Sequence, residues 1–312
     1  MLSRLADFLY WLGRNVERAE TLARSLEVTY VRSVDLYGQR DGRGEAMWSS
    51  VMEAIGFAPG SSLPAGGKAA AAAIRHIAFD PSNPSSIVSG IRIARSNALG
   101  IRSELTSEVW ESINVLYLYV EDQDPGTVLR APSAFLHHVR DVAQGFAGIS
   151  DATLNHGQGW NFLQAGRYLE RAYLTSRILA SVDVAGEPWP ESQRLLEMCC
   201  ASVPFAQQSH TSPEPRDVVE FMLLAGECPR SMRFATHALD GALHRISGTP
   251  EHSWRTAPER RSGRMRARFD FTGIDEIVVG DLRRLALELA SEYEALSGEI
   301  EAAYFPRLPV TS

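Results

Sequence analysis

The chain of 312 residues has little lysine, little cysteine and no long apolar run. Lys68 is the one lysine among 31 basic residues, so arginine supplies nearly all of the positive charge. A membrane-spanning helix requires roughly 20 consecutive apolar residues, and no run approaches that length. The apolar N-terminus is interrupted by Asp7 and leads directly into charged residues, which argues against a signal peptide. We therefore expect a soluble cytoplasmic protein that does not act at a membrane.

Motifs that bind metals or cofactors are also missing. The neighbours Cys199 and Cys200, together with Cys228, form an odd set without metal or disulfide-framework spacing, and we expect reduced, buried thiols. No Glu-x-x-His or His-Glu-x-x-His motif occurs, and a partly exposed helix face explains the HHVRD segment at 137–141 better than half a metal site does. There is neither a glycine-rich phosphate loop nor a recognisable Ser or Cys nucleophile motif. The sequence therefore predicts no metal site and no cofactor.

The overall charge argues against general affinity for nucleic acid, because the net charge is −7 and the isoelectric point is about 5.7. One local exception is a dense basic run from Arg255 to Arg268. This run is either a solvated helix or a surface that docks onto an acidic partner. No interleaved aromatic platform accompanies it, so we do not expect a nucleic-acid partner.

Apolar residues recur at helical spacing along nearly the whole chain. The predicted helices cover residues 3–36, 46–55, 69–79, 85–120, 132–154, 160–182, 191–202, 216–226, 230–246, 259–269 and 281–304. The segments 41–44 and 60–67 are predicted loops, and 276–279 is an extended linker or a helix start. We expect an all-α fold, in which long antiparallel helices form one bundle.

A charged motif occurs twice. Residues 8–26 and 161–179 align without a gap at an offset of 153. The identical pairs are Gly13/Gly166, Arg14/Arg167, Glu17/Glu170, Arg18/Arg171, Ala19/Ala172, Arg24/Arg177 and Leu26/Leu179. Since the offset is close to half of the length, we expect a single domain over 1–312 with two pseudo-repeated halves, about 1–130 and 131–312.

We call Arg14, Glu17 and Arg18 the first ER motif and Arg167, Glu170 and Arg171 the second. The second lies on a helix that is apolar on nearly all sides, which predicts that its charges are buried or line a cavity. The first has more polar neighbours, so we expect a cavity that opens beside Glu17 and is deepest at Glu170. Two interpretations remain open. The motifs either pair across a pseudo-two-fold axis and fix helix register, or they form a polar cavity that binds a carboxylate, a phosphate or an amine.

The predicted helix 85–120 carries charges on two flanks of its apolar seam. One flank has Arg92, Arg95 and Arg102, and the other has Asn97, Glu104, Glu108 and Glu111. Either flank meets an ER motif in the cavity interpretation, whereas both are solvated in the alternative. Trp110 and Asn114 lie one turn apart, and their roles are equally well structural or ligand-binding. Arg230 opens a later helix, where free backbone N–H groups form a weak candidate anion site.

Four segments resemble a bacterial family known as the alpha-E domain, an α-helical domain with a conserved ER motif. They are LYWLGRNVERAETLAR near the start, IARSNALGIRSELTSEVWESIN at 93–114, GWNFLQAGRYLERA at 159–172 and CPRSM at 228–232. The resemblance covers essentially the full length. Family members are encoded beside, or fused to, a circularly permuted ATP-grasp protein and a transglutaminase-like protease, which together resemble a peptide ligation and cleavage system.

The resemblance implies a partner in ATP-dependent amide-bond formation. The first hypothesis is an accessory component, whose buried Arg/Glu cavity binds a peptide or amino-acid-like ligand, or a partner. The second is an enzyme of the same pathway, with Glu17 or Glu170 as general base and the arginines stabilising negative charge. The third is a scaffold in which the ER motifs are purely structural ion pairs.

Overall fold

The computed structural model describes residues 3–35, 42–55, 68–182, 188–208, 214–278 and 282–305. Within these ranges the regular structure is helical, without a strand, so the predicted all-α fold is confirmed. The predicted loop at 60–67 lies outside the described residues. No helix in the described ranges combines the length and the apolar character needed to cross a membrane.

The helices follow the predicted order, except that one predicted helix is divided into two and three short helices were not predicted. The first half has α1 (Ser3–Asp35), α2 (Arg43–Ile55), α3 (Lys68–Ile74), α4 (Ile87–Gly100), α5 (Ser107–Glu121), α6 (Pro125–Val128) and α7 (Ser133–Thr153). The second has α8 (Gln158–Ser181), α9 (Pro188–Met198), α10 (Ser202–Gln208), α11 (Pro215–Leu224), α12 (Met232–Ser247), α13 (Ala257–Phe271), α14 (Ile274–Val278) and α15 (Leu282–Tyr304). A π-helical turn, Arg75–Phe79, continues α3. The unpredicted helices are α6, α10 and α14.

The prediction of one helix over 85–120 is wrong, because α4 and α5 form an antiparallel hairpin. After α4 ends at Gly100, the chain makes a short 3-10 turn, Arg102–Glu104, before α5 begins. Thr106 is the N-cap of α5, and its hydroxyl accepts a hydrogen bond from the Val109 backbone at 3.4 Å. Arg92 then pairs with Glu121 across the hairpin, with 2.6 Å between Nε and Oε1.

The two ER helices, α1 and α8, lie side by side at the centre of the fold. Helices α4 and α7 pack against α1, while α12 and α15 pack against α8. The C-terminal residues Asp35 of α1 and Ser181 of α8 line the same pocket. Tyr10 and Phe162, near the two N-termini, both contact Phe305. The central helices are therefore parallel and depart from the antiparallel arrangement that we expected.

Two glycines let the backbones of α1 and α8 touch. A Cβ atom on Gly13 would lie 2.2 Å from the carbonyl oxygen of Leu163, and one on Gly166 would lie 2.0 Å from that of Tyr10. Tyr10 and Leu163 are equivalent at the offset of 153, so the two contacts are reciprocal. That the two halves repeat each other as whole structures stays a prediction.

We expect Gly166→Ala to destabilise the fold, because the new methyl group overlaps a backbone atom and α1 must move away from α8. Overpacking of this kind typically costs about 1–3 kcal/mol in the free energy of unfolding. Chemical denaturation followed by circular dichroism measures the change. Gly148→Ala is the matched control, since Gly148 is exposed on α7 and its Cβ would meet nothing within 4 Å. The control should be neutral or slightly stabilising; equal losses in both variants would contradict the close contact.

Candidate functional site

Both arginines of the first ER motif bind Glu170. The Nε of Arg14 donates to Oε2 of Glu170 at 2.7 Å, and the Nε of Arg18 donates to Oε1 at 2.6 Å. Each guanidinium has a second partner. Arg14 donates to the hydroxyl of Ser297 on α15 at 2.6 Å, and Arg18 donates to that of Ser85 at 3.2 Å. The carboxylate of Glu170 thus has a guanidinium on each oxygen.

Glu17 is bound by the arginines of the second ER motif in the same way. Arg171 forms a bidentate pair with it, at 2.6 Å from Nε to Oε1 and 2.8 Å from Nη2 to Oε2. The Nε of Arg167 lies 3.4 Å from Oε2, which is a long contact. Arg230 adds a third guanidinium, at 3.1 Å from Nη1 to Oε1. Arg171 also donates to the carbonyl oxygen of Pro229 at 3.2 Å.

The pairing is therefore crossed, because each motif's arginines hold the other motif's glutamate. Of the two interpretations left open by the sequence, the ion pairs across α1 and α8 match this geometry. The contacts also explain why Arg and Glu recur at the same spacing in both helices. A guanidinium offers several N–H donors in a fixed fork, and a carboxylate offers two acceptor oxygens.

Further residues, which the sequence analysis did not place in the site, extend the pairing. Glu20 lies 2.8 Å from Nη2 of Arg230, and it accepts from Nε of Arg24 at 3.0 Å and from Nε2 of Gln144 at 3.2 Å. The i, i+4 spacing of Glu20 and Arg24 was the available sequence signal. We call the two ER motifs together with Glu20, Arg24 and Arg230 the ER network.

Arg230 is a site residue, although not in the manner that the sequence suggested. The helix that follows, α12, is capped by Ser231, whose hydroxyl accepts from the Phe234 backbone at 3.1 Å. The guanidinium of Arg230 is occupied by the carboxylates of Glu17 and Glu20. These protein carboxylates take the place of an anion in the weak candidate site that the sequence indicated at this helix start.

The ER network is nearly sealed from solvent. The side chain of Glu170 is 0 % exposed and that of Glu17 is 5 % exposed, while Arg167 reaches 24 %. The expected contrast between an open first motif and a closed second one is therefore small. The space beside Glu17 and Arg167 measures about 20 Å³ and also borders Ser150, whose hydroxyl has no hydrogen-bond partner among the described residues. Such a space fits about one water molecule, not a peptide.

Burial and ion pairing act in opposite directions on both carboxyl groups. Burial favours the neutral acid and raises the pKa of Glu17, but Arg171 and Arg230 outweigh it, so that the pKa lies well below its ordinary value. Burial likewise opposes ionisation of Glu170, yet the guanidiniums of the first motif lower its pKa. Both glutamates are thus firmly ionised acceptors.

Comparison with known proteins identifies the family. The model of the Alpha-E family, described as a predicted alpha-helical domain with a conserved ER motif, matches residues 1–305. The chain belongs to the Alpha-E family.

Curated relatives of this Alpha-E chain include uncharacterised proteins of Mycobacterium tuberculosis and Mycobacterium bovis, each 26 % identical over 314 residues. The alignment covers 95 % of this chain but 35 % of each relative, so the chain spans about a third of their length. No solved structure matches the chain.

The remaining predicted site residues of the Alpha-E chain divide into two groups. The first consists of Arg95, Arg102, Trp110 and Asn114 on the α4–α5 hairpin. Together with Tyr117, which the sequence analysis did not single out, they form what we call the hairpin cluster. Arg95 stacks over the rings of Tyr117 and Trp110, at 4.6 and 5.7 Å from guanidinium carbon to centroid, and Arg102 stacks over Trp110 at 5.4 Å. The Nε of Arg95 donates to Oδ1 of Asn114 at 3.3 Å.

The second group does not join a site. Glu104 and Glu108 are exposed and form no ion pair within the described part of the chain. Asn97 is half-buried, and its amide nitrogen has no hydrogen-bond partner in the part of the chain that the structure describes. The prediction that these side chains share one flank of a single helix is wrong, because the chain turns between α4 and α5.

Arginines of the basic run from Arg255 to Arg268 form ion pairs with neighbouring helices. Arg261 lies 2.7 Å from Glu292 and 2.6 Å from Glu299, which ties α13 to α15. Arg266 lies 2.8 Å from the buried Asp240 of α12. The docking of this run onto an acidic partner stays a prediction.

The cysteine prediction is right for two residues of three. Cys199 and Cys228 are buried, whereas Cys200 is exposed. Burial raises the pKa of the Cys199 thiol to about 12.

His137 lies 2.9 Å from Asp141, and the described ranges contain no cluster of three or more His, Cys, Asp or Glu side chains suited to a metal.

We expect Glu170→Gln to destabilise the fold by about 3–5 kcal/mol, since it leaves two buried guanidiniums without their counter-charge. Urea denaturation measures the free energy of unfolding. Glu111→Gln provides the control, because Glu111 is exposed on α5 and forms no ion pair in the described ranges; it should change stability by less than about 0.5 kcal/mol. Similar stabilities for the two variants would show that the crossed pairs do not hold α1 and α8 together.

Proposed function

We propose that the chain is a non-catalytic, substrate- or partner-binding component of a system that forms peptide amide bonds with ATP. Its partners in this proposal are a circularly permuted ATP-grasp protein and a transglutaminase-like protein, and its ligand is a peptide or an amino-acid-like molecule. One observation supports the non-catalytic role most directly. The carboxylates of Glu17 and Glu170 are both occupied by ion pairs with arginines, mainly those of the other ER motif.

The ion pairs with arginine make both glutamates poor general bases. A base that takes a proton from an amine near neutral pH is most effective when its own pKa is close to 7. Here the pairing lowers the pKa of both carboxyl groups, and each oxygen already accepts a guanidinium hydrogen bond. The space beside Glu17 is about 20 Å³, which also leaves no room for an amine substrate. These facts favour a binding role over the enzymatic alternative.

The length of the curated relatives supports a role beside other protein units. The matched region makes up 35 % of each mycobacterial relative, so in those proteins it accompanies a much longer stretch of chain. A component that binds and presents a substrate is expected to work next to the unit that performs the chemistry. The absence of a glycine-rich phosphate loop from the sequence agrees, because an ATP-grasp partner would supply the nucleotide site.

The charge balance of the ER network supports an anionic ligand or partner surface nearby. The network brings six guanidiniums to three carboxylates, a surplus of positive charge. Arg167 is its most exposed member at 24 %, and its terminal nitrogens make no hydrogen bond to the described residues. This surplus, together with the exposure of Arg167, supports the approach of a carboxylate toward this side of α8.

A reconstituted ligation assay tests the proposal. The chain is mixed with the ATP-grasp and transglutaminase-like partners from the same source, and ADP release and amide product are measured. We expect product only when the chain is present. Glu17→Gln and Glu170→Gln are assayed in the cold, and circular dichroism measures how much of each variant is folded. They should retain activity in proportion to that folded fraction.

Two results would contradict the proposal. If the chain neither binds the partners nor changes product formation, it is not a component of such a system. If a folded Glu→Gln variant binds the partners normally but loses at least about 100-fold in turnover, the glutamate acts in proton transfer and the enzymatic alternative is correct.

A further inference from the structure

The hairpin cluster lies outside the ER network and contains arginines whose hydrogen-bonding capacity is largely unused. A guanidinium has five N–H donors. Arg102 makes neither a hydrogen bond nor an ion pair with the described residues, and Arg95 makes one hydrogen bond, to Asn114. On the same hairpin Arg92 is fully engaged by Glu121 at 2.6 and 3.1 Å. The guanidiniums of Arg95 and Arg102 therefore have N–H donors available to bind a further group.

Aromatic rings hold both guanidiniums in position. Trp110 is shared, because Arg95 stacks on it from α4 and Arg102 stacks on it from the turn that follows. Tyr117 supports Arg95 at 4.6 Å. Stacking of this kind restricts the side chains without using their N–H groups, so an arriving carboxylate meets donors that have lost little further freedom.

Exposed apolar side chains border the same cluster. Leu99 is 52 % exposed and lies one turn beyond Arg95 on α4. Leu118 is 56 % exposed and lies one turn beyond Asn114 on α5. Arginine, tryptophan and tyrosine are the residues enriched in binding hot spots between proteins, and the exposed leucines add apolar area beside them.

The exposed glutamates of the hairpin form no ion pair with the hairpin cluster in the described ranges. Glu108 and Glu111 are about 160° and 100° around α5 from Trp110, and neither forms an ion pair with Arg95 or Arg102. Glu104, in the turn, is also exposed without an ion pair. These carboxylates repel an acidic ligand from the surrounding surface and leave the arginine side of the hairpin as the favourable approach.

We infer that the hairpin cluster is a docking surface for an acidic peptide segment of a partner protein, whose carboxylates bind Arg95 and Arg102 while its apolar residues cover Leu99 and Leu118. Charge complementarity selects the acidic side chains. A free inorganic anion would satisfy the arginines but would leave both leucines in water, so a peptide that alternates acidic and apolar residues fits better. The inference rests on the proposed function in so far as it names how a partner is held.

A binding measurement with the full chain alone tests this inference. The probe is a fluorescein-labelled peptide of alternating Glu and Leu residues, followed by fluorescence anisotropy, and its counterpart with Gln in place of Glu is the peptide control. We expect Arg102→Gln to weaken binding of the acidic peptide about tenfold, since it removes one charge-assisted contact. Leu99→Ser should weaken it about fivefold through lost apolar contact.

Arg264→Gln is the matched control variant, because Arg264 is exposed on α13 and forms no ion pair in the described ranges. It should change the dissociation constant less than about twofold. All three changes are at surface or half-buried positions, and circular dichroism will check that each variant folds.

Several outcomes would overturn the inference. They are absent binding, equal binding of the Gln peptide, or an Arg102→Gln variant that binds normally. Full competition by inorganic phosphate together with no effect of Leu99→Ser would mean a small-anion site only. Self-association by sedimentation that Arg102→Gln abolishes would mean that a second copy of the chain occupies the surface. Because no ligase is present, failure here leaves the reconstitution assay of the proposed function unaffected.

Discussion

The direct contact between the backbones of α1 and α8 determines how the centre of this protein is built. At Gly13 and Gly166 there is no room for a side chain between the helices. The long side chains that follow on each helix therefore reach along the flanks of the contact, where Arg and Glu from one helix meet Glu and Arg from the other. The resulting ion pairs are buried because α4, α7, α12 and α15 cover both helices.

Crossed pairing makes the arrangement specific. A sliding movement of α8 by one turn along α1 would separate Glu17 from Arg171 and Glu170 from Arg14, and it would leave charges in the interior without partners. Breaking a buried pair in this way typically costs about 3–5 kcal/mol, which is comparable to a large part of the stability of a domain. Arg230 adds a constraint from the second half, since its guanidinium binds both Glu17 and Glu20 on α1. The network thus favours one register of the central pair.

Sequence patterns predicted the fold class, the long helices α1, α7, α8 and α15, and the burial of the second ER motif. They did not predict the break between α4 and α5, because buried residues continue at helical spacing from Ile87 to Val120 on both sides of the turn. Polar neighbours also suggested an open first motif, yet Tyr10 and Ser25 are 0 % exposed. The pairing of Arg230 with Glu17, and of Ser297 with Arg14, becomes visible only in three dimensions, since no local spacing links these residues.

The central proposal is that the glutamates of the ER motifs are ionised structural acceptors and not bases for catalysis. The most direct test is the titration of the Glu170 side-chain carboxyl by carbon-13 NMR in the native chain, with Glu170→Gln used to assign the resonance. Our account predicts a midpoint below the ordinary glutamate pKa of about 4.3, because Arg18 and Arg14 stabilise the carboxylate more than burial destabilises it. A midpoint near 6 to 7, the range typical of a catalytic carboxyl group, would contradict it.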